Sequence, residues 1–360
     1  MASLVTSAPS LSKQDIYLLS EALIKSGFMN PTISEFHSVV LGIKGSKRLL
    51  TLGQLSGLAG FVKADCDVTT ASLTAEIIDK TWSPAYISDR IEQCYEDLMG
   101  SFLQWGLKNG IAKADLTNTE MFSLWLEPII AKFLEEVVLR GAWFGDTAIA
   151  AGTNNSLSGG QLKYFNAFDG FWKQISALNG GASFVADLTT KNAQITFALQ
   201  RFNSTDTTNQ VVTKALQNLY YASDLRLREQ DRGNLVFIVT QSVMDQYEKE
   251  RMANAAIDMP YQRAEGGFTG LAAMGIQVKA FSFLDRMISA YYLTNTAASW
   301  FLPHRIILTE KSNLMIGVEE EGNLSELDIW YSKDDKKNYT EFAFSMDAKV
   351  GLDILTAAAY

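Results

Sequence analysis

The sequence predicts an α+β fold in which helices are mixed with antiparallel strands. Some segments carry apolar residues at helical spacing, whereas others are short β-branched runs bounded by turn residues. With 360 residues, of which 47% are hydrophobic, the chain is long enough to build two or three subdomains. The sequence contains neither an internal repeat nor a low-complexity tract.

The N-terminal region is predicted to contain one helix, at residues 12–27. Ser12 and Asp15 can form the start of a capping box. Residues 28–50 are expected to be extended and irregular. The segment 50–80 is rich in threonine and β-branched residues and is broken by glycines. This pattern predicts a long two-stranded excursion that has little core of its own and needs support from outside itself.

A helix is predicted next, at residues 83–108. Pro84 in the first turn is a start signal, and Ile87, Ile91 and Cys94 follow at helical spacing.

A longer helix is predicted after Thr117, which can cap it together with Glu120 three positions later. Apolar residues line one face of this helix up to Gly141. Pro128 lies inside the helix and predicts a kink or a break there.

The second half of the chain alternates between helices and strands. Helices are predicted at 205–229 and 242–252. Strands are predicted at 234–240, 276–281, about 287–294 and 305–309. Residues 326–355 are expected to form two long strands joined by a charged turn.

The stretch HRIILTEKSNLMIGVEEEG, residues 304–322, is predicted to be a strand pair followed by an acidic run. Ile306–Leu308 and Leu314–Ile316 are runs of β-forming residues, and Lys311–Asn313 supplies a turn between them. The stretch contains no pattern of a nucleophile, a metal ligand or a phosphate cradle. We therefore interpret Glu319–Glu321 as a solvated surface.

Charge and hydropathy exclude two classes of partner. The net charge is −9, and the densest basic patch, at Lys44, Lys47 and Arg48, is too short to predict a phosphate-binding nucleic-acid surface. No run reaches the roughly 18 apolar residues that a membrane span needs. The N-terminal sequence also lacks the pattern of a secretion signal.

The sequence offers little material for catalysis or metal binding. Cys66 and Cys94 are expected to be free thiols, and His37 and His304 are the only two histidines. The chain has no phosphate-binding loop, dinucleotide fingerprint, nucleophile elbow, metalloprotease motif or calcium-binding loop. We therefore predict no catalytic, cofactor-binding or metal-binding residues, no cofactor and no enzymatic activity.

Several segments, taken in order, resemble a known family. The segment GAWFGD (141–146) is similar to the end of that family's long helix, and FNAFDGFWKQI (165–175) to the lead into its next domain. The segment NLVFIVTQSVMDQY (234–247) is similar to that domain's strand and helix, and RIILTEKSNLMIGVE (305–319) to its late strand pair. In this order the chain resembles the major capsid protein of tailed bacteriophages, which has the Hong Kong 97 fold.

The resemblance implies a division of the chain into five segments. These are an N-terminal arm (1–45), an extended hairpin called the E-loop (46–82), a first part of the peripheral P domain (83–165) with a spine helix (115–144), an axial A domain (166–322), and a second part of the P domain formed by the C-terminal strands (323–360).

The resemblance also implies a structural function. The chain would self-assemble through hexamers and pentamers into an icosahedral capsid that encloses double-stranded DNA without sequence-specific contacts. The other implied partners are a portal, a scaffold and decoration or auxiliary capsid proteins, and no membrane is involved. The implied location is the virion, after assembly in the cytoplasm of the host bacterium.

Two alternatives remain open at this point. An encapsulin-type nanocompartment shell has the same fold, and a groove for a cargo peptide would favour it. An enzyme with an unrecognised site is the other alternative. A deep pocket that holds two or more polar side chains of perturbed pKa would support the enzyme.

Overall fold

The computed structural model describes residues 31–43, 48–56, 74–94, 119–177, 184–253, 262–263, 269–294, 298–319, 326–332 and 337–360, and the single positions 104, 106, 108, 110 and 334. The helix predicted at 12–27 lies outside these residues. The described helices are α1 (Pro31–Ser34), α2 (Thr119–Phe144), α3 (Phe171–Ala177), α4 (Thr189–Asn192), α5 (Phe197–Gln200), α6 (Ser204–Asn209), α7 (Val211–Ala222), α8 (Leu225–Glu229), α9 (Gln241–Ala253) and α10 (Ser282–Tyr291). Single 3₁₀ turns lie at Leu162–Tyr164 and Asp353–Leu355.

The first large sheet has five strands, which are β1 (Ser38–Ile43), β4 (Ala85–Cys94), β12 (Leu314–Glu319), β13 (Glu326–Ser332) and β14 (Lys337–Val350). One edge of β14 pairs first with β13 and then with β12, and its other edge pairs with β4. Strand β1 lies outside β12 and runs parallel to it. The two long strands predicted in the C-terminal segment are confirmed as β13 and β14.

The helix predicted at 83–108 is wrong over Ala85–Cys94, where the chain forms β4. This strand pairs antiparallel with β14 along its whole length. The spacing of Ile87 and Ile91 is ambiguous, because residues four apart share a face of a strand as well as a face of a helix. The long partner strand, which is more than 240 positions away in sequence, decides between the two.

The second large sheet has six strands, which are β5 (Phe184–Val185), β6 (Leu235–Val239), β9 (Ala272–Ala273), β10 (Ile276–Ala280), β11 (Ile306–Glu310) and β15 (Thr356–Ala359). Their order is β5-β15-β11-β6-β10-β9, and β6 is buried along its whole length. The strands predicted at 234–240, 276–281 and 305–309 are confirmed as β6, β10 and β11. The helix predicted at 242–252 is confirmed as α9.

Two further strand pairs stand apart from the large sheets, namely β2 (Arg48–Ser56) with β3 (Thr74–Thr81), and β7 (Gln262–Arg263) with β8 (Thr269–Gly270). The two-stranded excursion predicted at 50–80 is confirmed by β2 and β3. The prediction that residues 28–50 are extended is confirmed at β1 and at the start of β2, whereas the prediction of irregular structure is wrong there and at the short helix α1.

The strand predicted at about 287–294 is also wrong, because most of it belongs to α10. The buried residues Phe283, Leu284, Met287 and Ile288 of α10 repeat at intervals of three and four, which places them on one face of a helix. The β-forming side chains that follow them favour a strand only when they are considered by themselves.

The helix predicted at 205–229 is divided into α6, α7 and α8. Gln210 adopts the left-handed conformation, with φ of 54°, and separates α6 from α7. The N-terminus of α7 is capped by a carboxylate from another helix. Buried Glu250 of α9 accepts hydrogen bonds from Val212 N at 3.0 Å and Thr213 N at 2.8 Å. An anion at a helix N-terminus is stabilising, and this one is not visible in the local sequence.

The strand pair predicted around Lys311–Asn313 is wrong as a pair, since β11 lies in the six-stranded sheet and β12 in the five-stranded sheet. The chain crosses between the sheets at this turn and crosses back at residues 351–355. Buried Asn313 joins the two crossings. Its side chain donates to Leu352 O at 2.9 Å and Thr356 Oγ1 at 2.8 Å, and it accepts from Leu352 N at 2.7 Å.

The long helix α2 confirms the predicted spine helix as a helix, and it continues through Pro128 without a break. Its end touches the start of α3 backbone to backbone. Gly170 N donates to Gly145 O at 2.8 Å, and a Cβ on Gly145 would lie 2.5 Å from Phe168 O. The two glycine-containing segments that resembled the family are therefore in direct contact.

The buried apolar residues form two clusters. One surrounds the C-terminal half of α2, where Trp143 is fully buried, and it includes residues from both large sheets. The other lies between the six-stranded sheet and helices α7, α8 and α9. The sheets therefore share one core through α2, and the six-stranded sheet has a second core on its other side.

Candidate assembly surfaces

The β2–β3 ribbon pairs with no other strand in the part of the chain that the structure describes. Its register runs from Arg48 opposite Thr81 to Ser56 opposite Thr74, with one irregularity on the way. A two-stranded ribbon alone in water is marginally stable at best. The ribbon therefore needs a surface to pack on, as the sequence predicts.

The base of the ribbon is attached to the five-stranded sheet. Lys80 Nζ lies 2.7 Å from Val350 O and 2.5 Å from Asp353 Oδ1. Trp82, just after β3, is buried against Gly317, where a Cβ would lie 2.7 Å from the indole ring. Only a glycine at this position lets the ring approach the sheet so closely.

Asp347 provides a second attachment for the same segment. Its Oδ2 accepts a hydrogen bond from Ser83 N at 2.8 Å and lies 3.4 Å from Lys349 Nζ. Burial raises the pKa of Asp347, while the Ser83 amide and the Lys349 ammonium act against this rise. The ribbon thus has a fixed base, and none of the described strands pairs with either of its edges.

The strongest candidate for a chemical site is a cavity of about 470 Å³ beside α9 and α10, which is lined by His304 and Asp285. Burial lowers the pKa of His304 to about 4 and raises the pKa of Asp285. The Ser242 hydroxyl lies 2.9 Å from His304 Nδ1. A pocket of this kind is the feature that would support an enzyme, so its hydrogen bonds matter.

The hydrogen bonds in this cavity are those of a structural network. His304 Nε2 lies 2.7 Å from Gln200 O, so Nε2 carries the proton and Nδ1 accepts from Ser242. An imidazole with a pKa of about 4 is a weak general base near neutral pH. Asp285 accepts from Gln241 N at 2.6 Å and Ser242 N at 3.4 Å, where it caps the start of α9.

The other histidine, His37, is also part of the core. Its Nδ1 lies 2.9 Å from Ile33 O, and Trp143 Nε1 donates to its Nε2 at 2.8 Å. Its ring stacks on Phe171 with 5.5 Å between the ring centres. Burial lowers the pKa of His37 to about 4. The neutral ring therefore joins α1 to α2 and α3.

The remaining residues that the sequence singled out lie at strand ends or outside the described part of the chain. Cys94 is the last residue of β4, and Glu319 is the last residue of β12. Cys66, Lys44 and Lys47 lie outside the described residues. Where the structure describes the chain, no group of three or more His, Cys, Asp or Glu side chains could hold a metal ion. The described helices include none that is long and apolar enough to cross a membrane.

Known proteins resemble this chain in structure but not in sequence. No family model and no curated protein matches it. A chain of the satellite phage P4 procapsid, a structure that includes the size determination (Sid) protein, is 10% identical with a TM-score of 0.56 and covers 94% of this chain and 98% of its own. A chain of Microbacterium phage Oxtober96 is 11% identical with a TM-score of 0.48 and covers 91% and 90%. The capsid of the native GTA particle is 15% identical with a TM-score of 0.47 and covers 91% and 89%.

We take the fold from the P4 procapsid chain, which has the highest TM-score of the three and covers both chains almost completely. Its low identity means that no residue role can be transferred from it. The resemblance inferred from the order of the sequence segments is confirmed for the fold: the chain has the fold of a phage capsid protein.

Proposed function

We propose that this protein is a major capsid protein that self-assembles into an icosahedral shell around the double-stranded DNA of a tailed phage. The observation that carries the proposal is the β2–β3 ribbon, which has an anchored base and no partner strand in the described chain. A ribbon of this kind becomes stable when another copy of the chain supplies the missing surface. The capsid fold supports the same conclusion.

Under this proposal the five-stranded sheet and α2 form the P domain, and the six-stranded sheet with its helices forms the A domain. The ribbon within 46–82 is the E-loop, and residues 1–45 are the N-terminal arm. We assign β12 to the P domain with the rest of its five-stranded sheet, and β15 to the A domain with the rest of its six-stranded sheet, which departs from the predicted division at residues 322 and 323. The two domains are therefore interleaved at the crossings that Asn313 joins.

The proposed partners follow from a closed shell. Copies of the chain form hexamers and pentamers, and a portal, a scaffold and decoration proteins complete the particle, which is located in the virion. The net charge of −9 is compatible with enclosed DNA, because a shell can confine DNA by volume and a strongly basic lining would hinder packing and release. The network around His304 gives no support to an enzymatic function.

The ribbon is proposed to lie across the P domain of a neighbouring copy. A standard interface buries about 800 Å² per partner. If half of this area is apolar, the gross gain is on the order of 10 kcal/mol at about 25 cal/mol per Å². Ordering and association costs remove much of this gain, but the remainder is repeated at every contact of the shell.

A deletion tests the proposal. Replacing residues 50–75 with a short Gly-Ser turn removes most of the ribbon and leaves Lys80 and Trp82, which attach its base. A control variant shortens only residues 57–73, between the two strands. We expect both variants to keep their circular dichroism spectrum. We expect the unmodified chain to form closed particles in negative-stain microscopy, and only the larger deletion to abolish them.

Each other result has a defined meaning. Normal particles from the larger deletion would rule out the E-loop assignment, and global unfolding would show that the segment belongs to the core. An unmodified chain that stays monomeric at micromolar concentration would rule out the shell. Closed particles that enclose a protein instead of DNA would indicate the nanocompartment.

A further inference from the structure

A small cavity of about 140 Å³ lies where α2 meets β4 and the loop around Lys163. Arg140 of α2 forms one wall, and its guanidinium carbon lies 5.5 Å from the centre of the Tyr164 ring and 5.8 Å from the centre of the Phe165 ring. Lys163 Nζ lies 4.9 Å from the centre of the Tyr164 ring. Two cations thus converge on one aromatic side chain.

Neither cation has an anionic partner among the described residues. Arg140 Nε is buried and has no hydrogen-bond acceptor there. The described residues that line the cavity include no carboxylate; apart from the two cations they are apolar, aromatic or glycine, with Ser88 at one side. Because a buried donor without an acceptor is unfavourable, an acceptor from outside this part of the chain is expected.

The chemistry of the cavity favours a carboxylate as this acceptor. A guanidinium group presents a planar fork of donors that matches a carboxylate, and here Tyr164 and Phe165 hold that fork in place. Nucleic-acid phosphates are usually bound by a row of cations on an open surface, whereas this cavity is small and partly apolar. With a net charge of −9, every copy of the chain presents an excess of carboxylates.

We propose that Arg140 and Lys163 receive a carboxylate side chain from a second copy of this chain, and that this ion pair fastens neighbouring subunits beside α2. The inference rests on the proposed shell, which brings the second copy close. The mouth of the cavity is open to such a neighbour, because Tyr164 is 40% exposed and Lys163 and Ser88 are exposed as well.

Three variants and the assembled particle test the inference. Arg140→Gln removes the charge, Arg140→Lys keeps it, and Arg201→Gln removes the same charge from an exposed arginine outside the cavity. The dissociation of particles would be followed by light scattering in urea, with circular dichroism as a measure of folding. We expect Arg140→Gln to weaken subunit association by roughly tenfold or more. Arg140→Lys should retain most of the association, and Arg201→Gln should leave it unchanged.

Electron cryo-microscopy of the unmodified shell decides the question even if a variant fails to fold. A carboxylate of a neighbouring copy within hydrogen-bond distance of the Arg140 guanidinium would support the inference. A carboxylate of the same copy, a nucleic-acid phosphate or solvent alone in the cavity would overturn it. If no shell forms at all, the proposed function fails, whereas a shell with no neighbouring carboxylate in this cavity refutes only the inference.

Discussion

Substituting Gly145 with alanine should destabilise the junction between α2 and α3. The new Cβ would lie 2.5 Å from Phe168 O and 2.6 Å from Gly141 O. Both neighbours are backbone atoms, so neither can rotate away as a flexible side chain would. The backbone around Gly145 would have to move away from the backbone around Phe168 and Gly170, where Gly170 N now donates to Gly145 O at 2.8 Å.

The magnitude follows from two costs. Overpacking a closely packed region typically costs about 1–3 kcal/mol. Weakening the hydrogen bond between Gly170 and Gly145 adds about 1 kcal/mol. We therefore expect Gly145→Ala to lower the free energy of unfolding by about 3 kcal/mol. Urea denaturation followed by tryptophan fluorescence, to which the buried Trp143 near the end of α2 contributes, measures this change.

Gly159→Ala is the matched control. A Cβ at Gly159 meets no atom within 4 Å, and its backbone is not in the left-handed region. Alanine there restricts the unfolded chain and should be neutral or stabilising by up to about 1 kcal/mol. Equal denaturation midpoints for Gly145→Ala and Gly159→Ala would refute the close backbone contact.

Three further predictions concern buried polar groups. The two histidines have a pKa of about 4 in the folded protein against an ordinary value of 6.5, so their stabilisation is complete above pH 6.5 and is lost as the pH falls toward 4. At pH 5 each histidine is expected to have lost about 2 kcal/mol of its contribution to the free energy of unfolding. His37→Gln should therefore reduce, by about this amount, the difference between the unfolding free energies measured at pH 7 and at pH 5. Glu250→Gln should cost about 2 kcal/mol in the free energy of unfolding, since Val212 N and Thr213 N donate to different carboxylate oxygens and the substitution replaces one of these acceptors with an NH2 donor. Asn313→Ala should cost about 3 kcal/mol in the same assay, because it leaves buried groups at both sheet crossings without partners.

Each of these predictions has a control on the same element or in the same experiment. A His37→Gln protein with the pH dependence of the unmodified chain would contradict the histidine argument. Glu248→Gln changes an exposed residue of the same helix and should change the free energy of unfolding by no more than about 0.5 kcal/mol. If Glu250→Gln has an effect as small as that of Glu248→Gln, the carboxylate of Glu250 does not stabilise the start of α7. Ser312→Ala, at an exposed position beside Asn313, is the control for Asn313→Ala and should have a small effect. Equal losses of unfolding free energy from these two substitutions would contradict the third prediction.

Elements with a strong local pattern could be predicted from the sequence alone. The many apolar residues of α2, the apolar run of β6 and the alternation of helix and strand around α9 are all properties of the local sequence. The ribbon was predictable for the same reason, since the β-branched residues and the glycines that predict its strands lie within the segment itself. The capsid-like order of segments also needed only the sequence.

The tertiary structure decided what depends on distant partners. Ile87 and Ile91 fit a strand as well as a helix, and only pairing with β14 makes β4 a strand. Likewise, α7 begins at Val211 because Glu250 reaches it from α9, across nearly forty positions of sequence.

The candidate surfaces show the same division. The sequence predicts that the ribbon needs support from outside itself, because a two-stranded ribbon alone in water is marginally stable at best. It contained no signal for the cavity at Arg140, since Tyr164 and Phe165 lie more than twenty residues away and meet the guanidinium only when the loop folds back on α2. The sequence also could not show that β11 and β12 belong to different sheets on either side of Asn313. Local residue types determine the turn, whereas the hydrogen-bond partners of each strand are determined by the sheet to which it belongs.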